Sequence, residues 1–104
     1  MTRVRVSAEA SEELEQAAAW YEEQSPGLGA NLVDAFEHAI DLLREESPPL
    51  VTMGGQSGRR GAKRLLLHRF PFSVVTIEVG DERVVIALAH HARRPDYWRD
   101  RLPT

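Results

Sequence analysis

The stretch from Lys63 to His90 reads KRLLLHRFPFSVVTIEVGDERVVIALAH, and its reading decides the fold. Three runs within it, Lys63 to Phe70, Phe72 to Val79 and Arg83 to His90, are rich in β-branched, aromatic and Leu residues. Pro71 separates the first two, and Gly80-Asp81-Glu82 separates the last two. Connections this short join neighbouring antiparallel strands, so the stretch is predicted to form a three-stranded meander.

Working toward the N-terminus, residues 47–61 hold two Pro and four Gly without periodicity and are predicted to be a loop. Before it, Leu32, Val33, Phe36, Ile40 and Leu43 recur at helical spacing from Leu28 onward, ending ahead of Ser47-Pro48-Pro49. A first helix over Ala8 to Gln24 carries the stripe Ala10, Leu14, Ala17, Ala18 and Tyr21, with Ser7 as its N-cap. Glu9, Glu12, Glu13, Glu15 and Glu23 are expected to face away from that stripe. Ser25-Pro26-Gly27 divides the two helices, with Pro26 suited to the first position of the second. Val4 and Val6 alternate with Arg3 and Arg5, the period of a half-buried strand. Beyond His90 the tail from Ala92 to Thr104 is polar and Arg-rich, with Tyr97 and Trp98 as its large apolar groups, and a short turn of helix is expected there.

The order is therefore β-α-α-β-β-β with a short C-terminal helix. The expected class is α+β in two layers: a mainly antiparallel four-stranded sheet, a helical hairpin on one face, and the other face partly open. The 104 residues make one domain, 1–104, large enough to bury roughly two thirds of its unfolded surface. There is no Cys, which excludes thiol catalysis and thiolate zinc sites. Apolar runs reach only six residues, as in Val84 to Ala89, so no membrane span is expected. The Met1-to-Val6 segment lacks the apolar core of a signal peptide, and a cytoplasmic location is expected.

Charge is split along the chain. Residues 1–52 carry three Arg against eleven acids, a net of −8, whereas residues 53–104 carry ten Lys or Arg against five acids, a net of +5. Either the acids coat solvated helices, or the C-terminal half offers a basic face to an anionic partner. Gly54 to Lys63 lacks the spacing of a phosphate-binding loop, and no other cofactor motif is present. Successive strand residues point to opposite faces, so His90 and His91 do not read as a metal pair. No Ser, His and Asp are placed together by the sequence. The segment His90-His91-Ala92-Arg93-Arg94-Pro95-Asp96-Tyr97-Trp98-Arg99-Asp100-Arg101 mixes guanidinium groups with aromatic rings, a chemistry suited to phosphates and unpaired bases. The same residues also read as an anchor, with Tyr97 and Trp98 packed on the sheet and Arg99 and Arg101 paired to Asp96 and Asp100.

This element order, the Phe70-Pro71-Phe72 hairpin opening and the closing His91-Ala92-Arg93-Arg94-Pro95-Asp96-Tyr97-Trp98 resemble the RelE/ParE superfamily of type II toxins. The resemblance covers nearly the whole chain, including the Ser7 to Ala10 helix start. It implies a small growth-inhibiting protein, with no cofactor, that forms a hetero-oligomer with a neutralising antitoxin. Two mechanisms branch from that fold. RelE-like members cleave mRNA on the ribosome without a metal, which requires a base, cations for the phosphate and an acid for the leaving oxygen. Carried over by position, those roles fall to Arg64, to Arg93 or Arg94, and to Tyr97. Leu66 and Ser73 stand where the family has basic residues, which leaves His90 or His91 as the proton acceptor. ParE-like members poison DNA gyrase through a binding surface and need no catalytic group, so the missing cations are then no defect. A ParE-like gyrase poison, and hence a non-enzyme, is the expectation; RelE-like cleavage, with candidates Arg64, His91, Arg93, Arg94 and Tyr97, is the alternative, followed by an inactive or repurposed binding domain.

Overall fold

A computed structural model describes residues 2–102 of the chain. Its elements run β1 (Arg3–Val6), α1 (Ala8–Gln24), α2 (Leu28–Leu43), β2 (Val51–Thr52), α3 (Gly55–Arg59), β3 (Lys63–Leu66), β4 (Phe72–Val79) and β5 (Glu82–His90), closing in a 3-10 turn at Arg99–Arg101. The end of the expected polar tail, Pro103 and Thr104, lies outside the described residues.

Helix α1 starts where its cap dictates: the Ser7 hydroxyl accepts the Ala10 N–H at 3.1 Å. The turn to α2 differs from expectation. Pro26 does not open the second helix; Gly27 caps it at φ +89°, a left-handed conformation that glycine adopts without steric cost. The Glu22 carboxylate accepts the N–H groups of Gly27 and Gly29 at 2.9 and 3.0 Å, closing the hairpin. Gly29 is buried where the helices meet, and a Cβ there would stand 2.5 Å from the Ala18 carbonyl oxygen. Gly29→Ala therefore forces the helices apart and is expected to cost about 1–3 kcal/mol in urea denaturation, the range for overpacking. Wild-type stability in that variant would mean that the crossing is looser than described.

The sheet order is β1-β5-β4-β3-β2. Strand β1 lies parallel to β5 from Arg3↔Glu82 to Val6↔Val85, and the other pairs are antiparallel. The α+β class and the hairpin layer are as the sequence implied. The sheet has five strands rather than four, because residues 47–61, expected to be a loop, contain the two-residue β2 and the one-turn α3. Strand β3 stops at Leu66, short of Phe70, as the chain turns through Arg69 at φ +72°.

The second sheet face is the larger correction, since it is covered rather than partly open. Leu32, Phe36, Ile40 and Leu43 of α2 pack on Leu65, Phe72, Val74, Val85 and Leu88 beneath the hairpin. On the opposite face, Val75, Ile77, Val84 and Ile86 pack against Ala62, Trp98 and Leu102. Strands β4 and β5 are thus buried on both faces, which is why both read as almost unbroken apolar runs.

Candidate functional site

Beyond Val85 the sheet loses its β1 neighbour, because the chain has already turned into α1; the last contact is the Ser7 N–H to the Val85 carbonyl at 2.9 Å. The β4–β5 register slips between Val75 and Thr76, and from there side chains take over the open edge of β5. Glu13 accepts the Leu88 N–H at 3.1 Å, Arg101 donates to the Ile86 carbonyl at 2.9 Å, and the Tyr97 hydroxyl lies 3.4 Å from the Leu88 carbonyl. These contacts fold the segment after β5 back over the sheet and form one wall of a cleft.

The cleft, about 180 Å³, brings together all five candidates: Arg64, His91, Arg93, Arg94 and Tyr97. Strand register explains the first. Arg64 pairs with Val75 and Leu66 with Ser73, so Arg64 and Ser73 share a face of the sheet. His91 follows β5 directly and is fixed by its N–H to the Pro71 carbonyl at 2.9 Å. Its Nε2 stands 3.0 Å from the Ser73 hydroxyl. His90 turns the other way, with its ring edge-on to Phe72 at 5.0 Å and its Nδ1 accepting the Ala92 N–H at 2.9 Å. Both histidines left open by the sequence border the cleft, and His91 is the one whose ring meets another cleft side chain, Ser73.

The Ser73–His91 pair was not legible as a Ser, His and Asp arrangement. Asp96 also lines the cleft, but it makes no hydrogen bond to His91 among the described residues, so the geometry is a dyad and not a triad. The side chains of Arg64 and Arg94 likewise have no hydrogen-bond or ion-pair partner among the described residues, which leaves two unpaired guanidinium groups at the cleft. No group of three or more His, Asp or Glu with metal-binding geometry occurs among the described residues.

Tyr97 is held quite differently from a free acid. Its hydroxyl donates to Glu13, the Arg93 guanidinium lies 3.6 Å from its ring centroid, and that of Arg101 lies at 5.4 Å. Burial first, and the Glu13 carboxylate second, push the phenol well above its usual range. Because the folded chain keeps this proton to higher pH than the unfolded chain, the associated stability is complete below about pH 10 and is lost as pH rises beyond it. Arg101 also corrects the expected pairing: it bonds Glu13 at 2.9 Å, and neither Asp96 nor Asp100. Glu13 itself was assigned to the solvent side. Its place three residues after Ala10 and four before Ala17 put it on the flank of the buried stripe, and that spacing was the available signal.

A second concave surface lies on the helical side. Tyr21, Leu28, Ala35, His38, His68 and Phe70 line an open groove of about 630 Å³. Trp20 stands 56% exposed and Leu66 54% exposed. Strand β2 pairs with β3 only at Lys63 and Arg64, so the β3 edge beyond them has no strand beside it. No helix among the described residues is long and apolar enough to cross a membrane.

No protein-family model matches the chain, and no curated protein matches it in sequence. Among solved structures, a chain described as "Chromosomal ParDE TA system from P. aeruginosa" superposes with a TM-score of 0.73 at 18% identity, covering 86% of this chain and 96% of that one. The two chains share one fold, as the sequence resemblance implied.

Proposed function

We propose, from the fold shared with a chain of a ParDE system, that this protein is the growth-inhibiting toxin of a type II toxin–antitoxin pair. It acts in the cytoplasm as a single domain, is neutralised by a cognate antitoxin, and stops growth by poisoning DNA gyrase. The observation that favours a binding mechanism over RNA cleavage is the state of Tyr97. Its hydroxyl is committed to Glu13 and its ionisation is suppressed, which suits a structural phenol better than an acid that gives its proton to a leaving oxygen. Ser73 in place of a cation, and the apolar Leu66 two places after Arg64, weaken the cleavage alternative further.

RNA cleavage keeps one supporting observation: the His91 imidazole stands beside Ser73 in a cleft also lined by Arg64, Arg93 and Arg94. Expression without the antitoxin separates the two readings. Gyrase poisoning gives filamentation, inhibited supercoiling by purified gyrase and intact transcripts, whereas codon-phased 5′ ends would establish cleavage. Unimpaired growth would reduce the protein to a repurposed binding domain.

For the antitoxin, the groove beside α2, the open β3 edge and exposed Trp20 offer apolar surface and backbone hydrogen bonds to a segment that orders on binding. The exposed acids of α1 add charge. Reversing Glu12, Glu15 and Glu23 to Lys is expected to weaken antitoxin binding at low salt, with the difference shrinking as salt screens it. Unchanged affinity at low salt would remove charge from the account of docking.

A further inference from the structure

Glu13 is the acid of α1 that turns inward, its side chain 13% exposed. It does not line the cleft, yet it is bonded to two residues that do. One carboxylate oxygen accepts from the Tyr97 hydroxyl and lies 3.4 Å from Arg93, while the other takes Arg101 at 2.9 Å and the Leu88 N–H at 3.1 Å. The contacts with Leu88 and Arg101 tie α1 and the C-terminal segment to the edge of β5. The contacts with Tyr97 and Arg93 reach both members of a stack, a cation over an aromatic ring, that borders the cleft.

We infer that Glu13 is a positioning residue for the cleft, holding Arg93 and Tyr97 as its wall from the opposite layer of the fold. Loss of its charge frees that wall, while Trp98 and Leu102, both buried in the second core, keep the segment itself in place. The biological part of this inference rests on the toxin reading; the structural part does not.

Two variants separate positioning from simple stabilisation. Glu13→Gln removes the charge that holds Tyr97 and Arg93. Arg101→Met removes the bonds to Glu13 and to the Ile86 carbonyl but leaves Glu13 on Tyr97. Each is compared with the native chain by thermal unfolding, by alkaline absorbance titration of the phenols, with Tyr97→Phe identifying the Tyr97 step, and by growth inhibition per folded protein. The expected result is a Tyr97 step at lower pH and growth inhibition reduced roughly tenfold or more in Glu13→Gln, with neither change in Arg101→Met. Glu13→Asp, which keeps the charge, is expected to restore the late Tyr97 step in part, and it stands in if Glu13→Gln does not fold.

An unmoved Tyr97 step in Glu13→Gln overturns the inference. So does loss of inhibition in both variants in proportion to lost stability, which would make Glu13 a clip and nothing more. A native chain that arrests no growth counts against the toxin reading alone, and the phenol titration then decides the positioning role by itself.

Discussion

Trp98→Ala lowers the stability of the folded chain by about 3–5 kcal/mol, the range for truncating a buried large aromatic. The indole is 2% exposed and sits among Val75, Ile77, Val84 and Ile86, where it is the largest group covering the second face of the sheet. The other buried members of that core, Ala62, Ala87 and Leu102, are already packed, so only the partly buried groups at its edge, Met53 among them, can relax into the space. Domains of this size have a total stability of roughly 5–15 kcal/mol, so the loss is a large share of it. At about 4–8 °C per kcal/mol, the melting temperature falls by tens of degrees. Trp98→Phe keeps most of the apolar contact and is expected to lose much less. A melting temperature within a few degrees of the native value in Trp98→Ala would show that the tail is not part of the core.

Arg83→Met is expected to cost about 3 kcal/mol or more, although Met fills nearly the same length. Arg83 is only 7% exposed, and its guanidinium lies at the end of α2, donating to the carbonyls of Leu43 at 2.6 Å, Glu45 at 2.5 Å and Glu46 at 3.3 Å. The last carbonyls of a helix have no partner within it and carry the negative end of its dipole. A cation on β5 thus fastens the helical layer to the sheet. Removing the donor leaves the buried Leu43 carbonyl unsatisfied, at roughly 1–3 kcal/mol, and frees the part-buried Glu45 and Glu46 carbonyls at a smaller cost, since water reaches them. The Arg83 Nε makes no hydrogen bond and stands 3.5 Å from Glu78, whose exposed carboxylate contributes little. Arg83→Lys, a single point donor, should recover only part of the loss in urea denaturation. Equal stability of all three proteins would show that solvent satisfies these carbonyls as well as Arg83 does.

Much of the architecture was legible because its signals are local. Ser7 and the composition after it set α1 to the residue, and the Pro71 and Gly80-Asp81 breaks delimited β4 and β5 almost as closely. The missing pieces depend on partners far along the chain. Glu13 reads as a solvated acid until Tyr97, 84 residues away, and Arg101, 88 away, are folded against it. The covered second face was written in the double-sided burial of β4 and β5, but the tail that covers it offers only Trp98 and Leu102 and looked too slight to do so. Strand β2 and α3, at two and five residues, are too short to show a period at all. The cleft itself was legible only through family resemblance. The residues that compose it come from three strands and a tail, and Ser73 with His91 shows as a pair only when β4 and the end of β5 lie side by side.

The parallel pairing of β1 with β5 sets a clock on synthesis. Arg3 waits for Glu82, and Glu13 waits for Arg101, before either finds its partner. At the roughly 5–20 residues per second of a translating ribosome, that delay is on the order of 4–20 s. During it the helical hairpin has no sheet beneath it, and its apolar stripe is bare. Any chaperone or partner that captures the nascent chain meets that stripe first. A truncated product that ends between Leu43 and Arg93 carries both helices but lacks the Arg93, Arg94 and Tyr97 wall of the cleft.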